Sequence, residues 1–290
     1  ELKDADKPTD EVIAYAQQVM IEAFSQTGRA ELKTMQDVCE ALFVRQEKVQ
    51  AGEVPPTYAV NLSGLQSLVG GFESGSLNII AARPSMGKTA FMLSEALGWA
   101  ERGLPGIIFS LEQKDIQIGQ RNLAAVEGIP VNFLRGKLDE KHLDKFYSGL
   151  SKLRELPIKI SDKRGLTADQ ICSIARMEKM RNPGLKWVAV DYLTAMSFNP
   201  RQSQHLAVGD AALKLRNLAE ELDVFVILLS QLNRGVEARG DKRPIMADLR
   251  DSGNLEEYAD TIIFLYREGY YSPGFLDCPE GDWITEIEVA

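Results

Sequence analysis

Lys88 and Thr89 end a stretch whose residue types and spacing could bind a triphosphate. The stretch reads Ala82-Arg83-Pro84-Ser85-Met86-Gly87-Lys88-Thr89 and is followed by Ala90. An apolar run precedes it and an apolar-periodic segment follows it, which predicts a strand, a tight loop and a helix. Backbone N–H groups at such a helix start bind phosphate oxygens, a lysine contacts the β and γ phosphates, and a threonine hydroxyl binds Mg²⁺. Residues 83–90 are therefore predicted to bind a nucleoside triphosphate with Mg²⁺.

Ala82 departs from the usual form of this motif, in which a glycine opens the loop. Because alanine resists positive φ angles, we expect the chain to turn at Ala82 with ordinary dihedral angles. A chance Gly-Lys-Thr at a helix start is the alternative interpretation. The strand-like and helix-like segments on either side argue against it, since context is what supports such a motif.

Polar side chains also follow three other apolar runs that read as strands. Glu112 follows residues 107–111, Asp191 follows 188–190 and Gln231 follows 226–230. Ligands of parallel sheets bind at the carboxyl ends of the strands. These side chains are thus candidates to activate a water, to hold Mg²⁺ through a water and to sense the γ-phosphate, respectively. The alternatives are a helix-opening acid, a capping aspartate and a solvated strand end.

Residues 231–250 are rich in bases, and five of them are candidates to contact a phosphate backbone: Arg234, Arg239, Lys242, Arg243 and Arg250. The stretch 235–240 is bounded by glycines, and we expect it to be flexible. Such a loop next to a nucleotide site suits a single-stranded nucleic acid. No aromatic residue lies among the bases, so base stacking is not indicated. A solvated charged loop is the alternative.

From residue 62 onward, apolar runs alternate with amphipathic segments, which predicts an α/β fold. Helix crossovers between continuous apolar strands favour a mostly parallel sheet with helices on both faces. The last two runs have no helix between them and could pair antiparallel. The predicted strands are 77–81, 106–110, 158–160, 187–193, 224–230, 261–266 and 284–289. The predicted helices are 88–102, 115–126, 140–153, 167–180 and 207–222.

Residues 1–56 read as a small helical segment that precedes the α/β unit of residues 57–290. A first amphipathic helix is predicted over residues 9–26. Thr34 and Asp37 have capping-box spacing at the start of a second helix, which Gly52 ends. The apolar stripe on this second helix could dock on a neighbouring subunit or on its own chain.

Composition sets further bounds. No apolar run approaches the ~20 residues of a membrane span, so no membrane partner is expected. With two histidines and three scattered cysteines, a zinc site is not indicated, and the cysteines fit a cytosolic protein. The net charge is −9, but residues 251–290 hold ten acids and one base. The middle of the chain carries an excess of bases and can therefore bind phosphates.

Together, these residues resemble the C-terminal motor domain of the DnaB-type replicative helicases. The resemblance covers about residues 57–290 and implies a RecA-like ATPase fold. It depends on several motifs that agree in order and spacing, and the family also has alanine at the position of Ala82. The matching motifs are Gly71-Phe72, Gly75-Ser76-Leu77, 81–89, Ser110-Leu111-Glu112, Asp191-Tyr192-Leu193, Leu229-Ser230-Gln231-Leu232, Lys242-Arg243-Pro244 and 248–253.

The resemblance assigns roles to individual residues. ATP and Mg²⁺ would be bound by Lys88 and Thr89 with Asp191. Glu112 would activate water, Arg121 would support the γ-phosphate region and Gln231 would be the sensor. The residues that resemble the DNA-gripping segment are Arg250, Asp251 and Gly253. The family usually has glutamate at position 251, where this chain has aspartate.

The resemblance also implies a function and partners. The family forms homo-hexameric rings that move 5′ to 3′ on single-stranded DNA, unwind the duplex and work with a primase and a helicase loader. The location would be the cytoplasm of a bacterium or of a phage-infected host. Residues 1–56 would be the end of an N-terminal domain plus a linker helix that packs on the next subunit.

Both ends of the chain suggest a longer protein. The first residue is Glu1 rather than methionine, and the last run ends at Ala290 inside a strand-like pattern. In the family, an arginine finger follows in a Lys-x-Arg segment and acts across the subunit interface. A finger supplied in trans is worth about 10³–10⁵ in rate, so we expect slow hydrolysis without it.

Other functions fit parts of the pattern. A recombinase-type or clock-type ATPase of the same fold would form rings or filaments without unwinding. A small-molecule kinase would transfer phosphate to an acceptor, but no acceptor-binding lid is evident. A non-catalytic assembly module would not need Glu112, Asp191 and Gln231 together.

Overall fold

The computed structural model describes residues 33–53, 55, 57–198, 203–252, 255–271 and 285–289. The chain divides into two compact units, residues 1–56 and 57–290. In the first unit, helix α1 (Met35–Gln50) begins with a capping box in which Thr34 accepts the Asp37 N–H and Asp37 accepts the Thr34 N–H. No residue of α1 is buried within the described part of the chain. The predicted helix over residues 9–26 lies outside the described residues.

The second unit is built on a sheet of seven described strands in the order β3-β2-β4-β5-β1-β6-β7. Every neighbouring pair is parallel except β6 and β7, which are antiparallel. Both the mostly parallel sheet and the antiparallel final pair were predicted and are confirmed. The strands are β1 (Leu77–Ala82), β2 (Gly106–Ser110), β3 (Ile158–Ser161), β4 (Trp187–Asp191), β5 (Phe225–Gln231), β6 (Thr261–Tyr266) and β7 (Glu286–Val289).

Helices connect the parallel strands and agree with the predicted ones to within a few residues. Two short helices, α2 and α8, were not predicted, because seven and four residues are too few to show a helical period. No described helix is long and apolar enough to cross a membrane. The helices are α2 (Ser63–Val69), α3 (Lys88–Glu101), α4 (Asp115–Glu127), α5 (Glu140–Arg154), α6 (Ala168–Arg181), α7 (Gln204–Leu222) and α8 (Leu255–Tyr258).

Alternate residues of the central strands face two separate hydrophobic cores. From β1, Leu77 and Ile79 pack in one core with residues of α6 and α7, whereas Ile80 and Ala82 pack in the other with residues of α3. All six residues of β1 are buried. Burying a large aliphatic side chain stabilises the fold by about 1.5–3 kcal/mol, so strands covered on both faces are continuously apolar. The predicted helices on both faces of the sheet are confirmed.

One strand is shorter than its sequence suggests. Residues 187–193 were predicted to be a single strand, but β4 ends at Asp191 and a 3₁₀ turn follows at Leu193–Ala195. Leu193 is fully buried in the core. Its apolar character therefore comes from core packing after the strand has ended.

The far half of α3 is fixed to the segment that enters the second unit. Buried Glu95 accepts the Asn61 N–H at 2.7 Å, and burial raises the pKa of the Glu95 carboxyl. The Asn61 side chain lies so close to Gly98 that a Cβ there would collide with it. Because α3 begins at Lys88, this anchor holds the helix that carries the candidate site.

Candidate nucleotide-binding site

The carboxyl ends of four adjacent strands bring the candidate residues to one edge of the sheet. Strands β2, β4, β5 and β1 are neighbours in that order. Ser110 pairs with Asp191, and Ala82 pairs with Gln231. Residues at and just after these strand ends therefore lie side by side, although Ala82 and Gln231 are about 150 positions apart along the chain.

A cavity of about 510 Å³ lies at this edge, which is a size suited to a small ligand. It brings together the side chains predicted to act on a nucleotide, and it also includes Gln113 and Tyr192. Its lining residues are Pro84, Ser85, Gly87, Lys88, Thr89, Ala90, Glu112, Gln113, Arg121, Asp191, Tyr192 and Gln231.

The loop between β1 and α3 takes its tight turn at two positions. Ser85 has φ 66° and Gly87 has φ 102°. Ala82 is buried at the end of β1 and is not among the positive-φ residues, as expected. Gly87 caps α3 without a side-chain hydrogen bond, so the first N–H groups of this 14-residue helix remain available to an anion.

Lys88 is held in the loop by main-chain acceptors. Its Nζ donates to the carbonyl oxygens of Ala82 at 2.8 Å and Arg83 at 3.3 Å. Burial lowers the pKa of Lys88 to about 8, although the nearby Asp191 and Glu112 carboxylates oppose the shift. A partly desolvated ammonium is a strong site for a phosphate group, because the surrounding protein screens its charge weakly.

Thr89 and Asp191 form an oxygen-rich pair suited to Mg²⁺. The Thr89 hydroxyl donates to Asp191 Oδ2 at 2.8 Å, and Asp191 is buried at the end of β4. Burial raises the pKa of Asp191, and the hydrogen bond from Thr89 opposes that effect. Hydroxyl and carboxylate oxygens beside bound phosphates are the donor set that Mg²⁺ prefers, so these residues fit the ion.

Glu112 lies in the turn that follows β2, with its side chain exposed at the cavity. Two contacts fix this turn. The Leu111 N–H donates to the Asp191 carbonyl at 2.7 Å, and Arg164 Nη2 donates to the Glu112 carbonyl at 2.9 Å. Arg164 was missed from the sequence, where the basic pair after β3 was the only signal of it.

Arg83 and Met86 lie within the motif but do not line the cavity. Met86 is buried in the hydrophobic core beneath α3. The Arg83 guanidinium is also buried and bonds to Glu237 and to the Leu232 carbonyl. Any contact of Arg83 or Met86 with a nucleotide is therefore confined to the main chain.

The stretch predicted to be flexible after β5 begins with a short 3₁₀ helix, and its flexibility stays a prediction. Residues Arg234–Ala238 form a 3₁₀ helix, and Asn233 Oδ1 accepts the Gly235 N–H at its start. Val236 is fully buried in the core. The glycines that suggested flexibility flank an apolar anchor, and the anchor decides the conformation.

Most of the predicted DNA-contacting bases in this loop already have partners. Arg239 pairs with Asp248 at 2.9 Å, Arg243 pairs with Glu286 at 3.0 Å, and Lys242 Nζ lies 4.6 Å from the centre of the Tyr271 ring. Arg234 is exposed and forms no ion pair with any described residue. Arg250 lies in the 3₁₀ segment Met246–Ser252. The side chains of Arg250 and Asp251, and the whole of Gly253, lie outside the described part of the chain.

Sequence and structure comparisons agree with this arrangement. The family described as "DnaB-like helicase C terminal domain" matches residues 58–289. The chain is 34% identical over 290 residues to the protein named replicative DNA helicase DnaB of Leifsonia xyli, covering 96% of this chain. It spans only 62% of that relative's length.

Two solved structures share the fold. One is the structure of an ATPase domain, which is 32% identical and matches with a TM-score of 0.78, covering 87% of this chain and 90% of the other. A structure of a DnaB-like replicative helicase and its interactions with primase is 31% identical, with a TM-score of 0.75. The match covers 97% of this chain and 66% of the chain in that structure. The sheet is therefore that of a RecA-like ATPase domain, and the chain belongs to the family of DnaB-like helicase C-terminal domains.

Proposed function

We propose that this chain is the motor of a replicative DNA helicase, which hydrolyses ATP with Mg²⁺ to move 5′ to 3′ on single-stranded DNA and unwind the duplex. The observation that carries the proposal is the cavity that joins Lys88, Thr89, Glu112, Asp191 and Gln231. Family membership supports the same function. A non-unwinding ring or filament ATPase remains the alternative.

Different residues of the cavity bind the phosphates, hold Mg²⁺ and support the γ-phosphate. Lys88 contacts the β and γ phosphates, and the free N–H groups at the start of α3 hold phosphate oxygens. Thr89 and Asp191 hold Mg²⁺, which neutralises charge on the phosphates when it is bound. Arg121 lines the cavity and supports the γ-phosphate. Binding and charge stabilisation thus come from residues of α3, β4 and α4.

Glu112 acts on the attacking water. Its carboxylate accepts a hydrogen bond from the water and takes up a proton as the water oxygen attacks the γ-phosphorus. The bond from the γ-phosphorus to the bridging oxygen then breaks, and ADP leaves with the electron pair. Contacts of Arg164 and Leu111 hold the main chain of the turn that carries Glu112 at the cavity.

Gln231 reports the γ-phosphate to the loop that follows it. The DNA-gripping residues are Arg250, Asp251 and Gly253, assisted by Arg234. Arg239, Arg243 and Lys242 also lie in this loop, but their partners suggest that they mainly shape it. Phosphate contacts of this kind grip the backbone without reading sequence.

The active assembly is a homo-hexameric ring with a primase and a helicase loader as partners, located in the cytoplasm. The likeness to a helicase described with its primase interactions supports the primase. Helix α1 packs on the next subunit, and an arginine from a neighbouring subunit completes each site. An arginine supplied in trans is worth about 10³–10⁵ in the rate of hydrolysis.

Strand displacement tests the function. We expect the protein to unwind a forked duplex that has a free 5′ tail and to leave a duplex with only a 3′ tail intact. Glu112→Gln should unwind neither substrate. ATP hydrolysis without displacement of either substrate would favour the ring or filament ATPase, and phosphate transfer to a small acceptor would favour a kinase.

A further inference from the structure

The buried guanidinium of Arg83 connects the phosphate-binding loop to the loop after β5. Arg83 Nη1 donates to the Leu232 carbonyl at 2.7 Å. Its Nε and Nη2 both donate to Glu237 Oε1, at 3.0 and 2.6 Å. The Arg83 side chain is 7% exposed, whereas that of Glu237 is 48% exposed. The arginine is therefore the buried member of the pair, and the glutamate is the solvent-facing member, on the loop after β5.

Main-chain hydrogen bonds also connect the phosphate-binding loop to the loop after β5. The Ala82 carbonyl accepts both the Lys88 ammonium at 2.8 Å and the Leu232 N–H at 3.2 Å. A phosphate that attracts Lys88 acts on a carbonyl that also holds the loop. Arg83, Lys88 and the first residue after Gln231 thus form one bonded group.

A second ion pair continues from Glu237 toward the proposed DNA-gripping segment. Glu237 and Arg239 lie at the end of the same 3₁₀ turn, and Arg239 pairs with the buried Asp248. Asp248 also accepts the Ile245 N–H, and its carbonyl accepts the Asn233 N–H. These contacts tie residues 233–248 together, so a shift at Glu237 would be transmitted to Asp248, which lies in the same 3₁₀ segment, Met246–Ser252, as Arg250.

The energetics favour two discrete arrangements of the loop. A buried guanidinium that loses its carboxylate is left with an uncompensated charge, which is strongly unfavourable. The loop therefore either keeps the Arg83–Glu237 pair or moves far enough for Arg83 to gain solvent. Elements with two arrangements are what allow one site to influence another.

We propose that Arg83 and Glu237 form a positioning pair that couples the nucleotide site to the DNA-contacting loop. The inference rests on the proposed function and adds a residue-level link to it. Glu237 is not among the residues that line the cavity. In Glu237→Gln the amide oxygen can still accept the hydrogen bonds from Arg83, so hydrolysis without DNA should stay near its normal rate, whereas the loss of the charge should reduce the response to DNA.

Glu237→Gln tests the pair, with Glu256→Gln as the matched control because Glu256 is exposed on the neighbouring helix α8. We expect Glu237→Gln to lower the factor by which single-stranded DNA stimulates ATP hydrolysis by at least about fivefold, the low end of coupling between sites. The control should keep the full factor. A double variant with Arg83→Gln should lose no more stimulation than the larger single loss, since both changes break one interaction.

Amide hydrogen exchange gives a readout that needs no DNA. Adding Mg²⁺ with a slowly hydrolysed ATP analogue should change exchange in residues 233–240 of the unmodified chain, and Glu237→Gln should abolish that change. Stimulation and exchange responses that both survive Glu237→Gln would overturn the pairing. Equal losses of basal and stimulated hydrolysis would also overturn it, because they indicate a merely structural role. If the unmodified chain does not respond to DNA, the proposed function fails, and exchange alone decides the pair.

Discussion

The nucleotide cavity and the basic loop are both rich in charged side chains, but they hold those charges differently. In the cavity, burial shifts the charges toward neutrality: it lowers the pKa of Lys88 to about 8 and raises that of Asp191. In the loop, hydrogen bonds from Arg243 to Glu286 raise the pKa of the guanidinium. The cavity thus has charges poised for a ligand, whereas the loop has charges largely satisfied by the protein.

This contrast shows where binding energy is available. A phosphate entering the cavity meets Lys88 and the uncapped N–H groups of α3, and it replaces only carbonyl contacts of the lysine. A phosphate approaching Arg239 or Arg243 must compete with a carboxylate that is already bonded. Among the described bases of the loop, Arg234 and Lys242 could bind DNA without breaking an ion pair, although Lys242 lies over the Tyr271 ring.

The largest expected effect is at Glu112. Glu112→Gln should lower kcat by about 10²–10⁴-fold while ATP binding is retained, because general-base catalysis is worth that much and the amide cannot take up a proton. Single-turnover hydrolysis and nucleotide titration measure the two quantities separately. Glu101→Gln, at the exposed far end of α3, is the control and should keep normal hydrolysis. A small loss in Glu112→Gln would place the base elsewhere.

The second-largest effect is expected at Asp191. Asp191→Asn should weaken Mg²⁺-dependent ATP binding by about 10–100-fold, the range seen when the partner of a metal ligand is changed. The amide keeps the size of the side chain but loses the charge beside Thr89. Titrations at several Mg²⁺ concentrations would reveal the change. An unaltered Mg²⁺ requirement would reduce Asp191 to a capping residue.

The two regions should also differ in their response to pH. Because the pKa of Lys88 is lowered to about 8, the free protein loses this charge as the pH rises above 8, and ATP binding must then take up a proton. ATP affinity should fall by about tenfold per unit above pH 8, whereas DNA affinity, which depends on arginine, should not. Lys88→Arg should remove the pH dependence. If ATP affinity and DNA affinity fell equally with rising pH, the proposed difference between the cavity and the loop would be wrong.

The smallest effect separates free from paired arginines. Arg234→Ala should reduce the slope of log affinity for single-stranded DNA against log salt by about 0.7, the value of one phosphate contact. Arg243→Gln should change the slope less, because Glu286 already neutralises Arg243. Titrations at several salt concentrations give both slopes. A larger change in Arg243→Gln would mean that DNA displaces Glu286.

Much of the site could be predicted because a parallel sheet places strand ends together. Glu112, Asp191 and Gln231 each follow a continuous apolar run, so their positions follow from the order of the strands. The family resemblance added Arg121, which no strand end marks. The same reasoning gave the antiparallel β6–β7 pair, since no crossover helix separates those runs.

The loop was predicted less well, because its conformation depends on contacts between distant residues. Nothing local to Arg83 indicates that its side chain bonds to Glu237, 154 positions away. Val236 reads as an isolated apolar residue between glycines, yet the core buries it and fixes the 3₁₀ turn. Charge composition therefore identified the loop but not which of its cations are free.

The most direct test of the DNA-motor function is the steady-state rate of ATP hydrolysis with and without single-stranded DNA. It should be measured for the unmodified protein and for its Glu112→Gln variant. We predict strong stimulation by DNA in the unmodified protein and almost no hydrolysis in the variant under either condition. A rate that does not respond to DNA would contradict the assignment of this chain as a DNA motor.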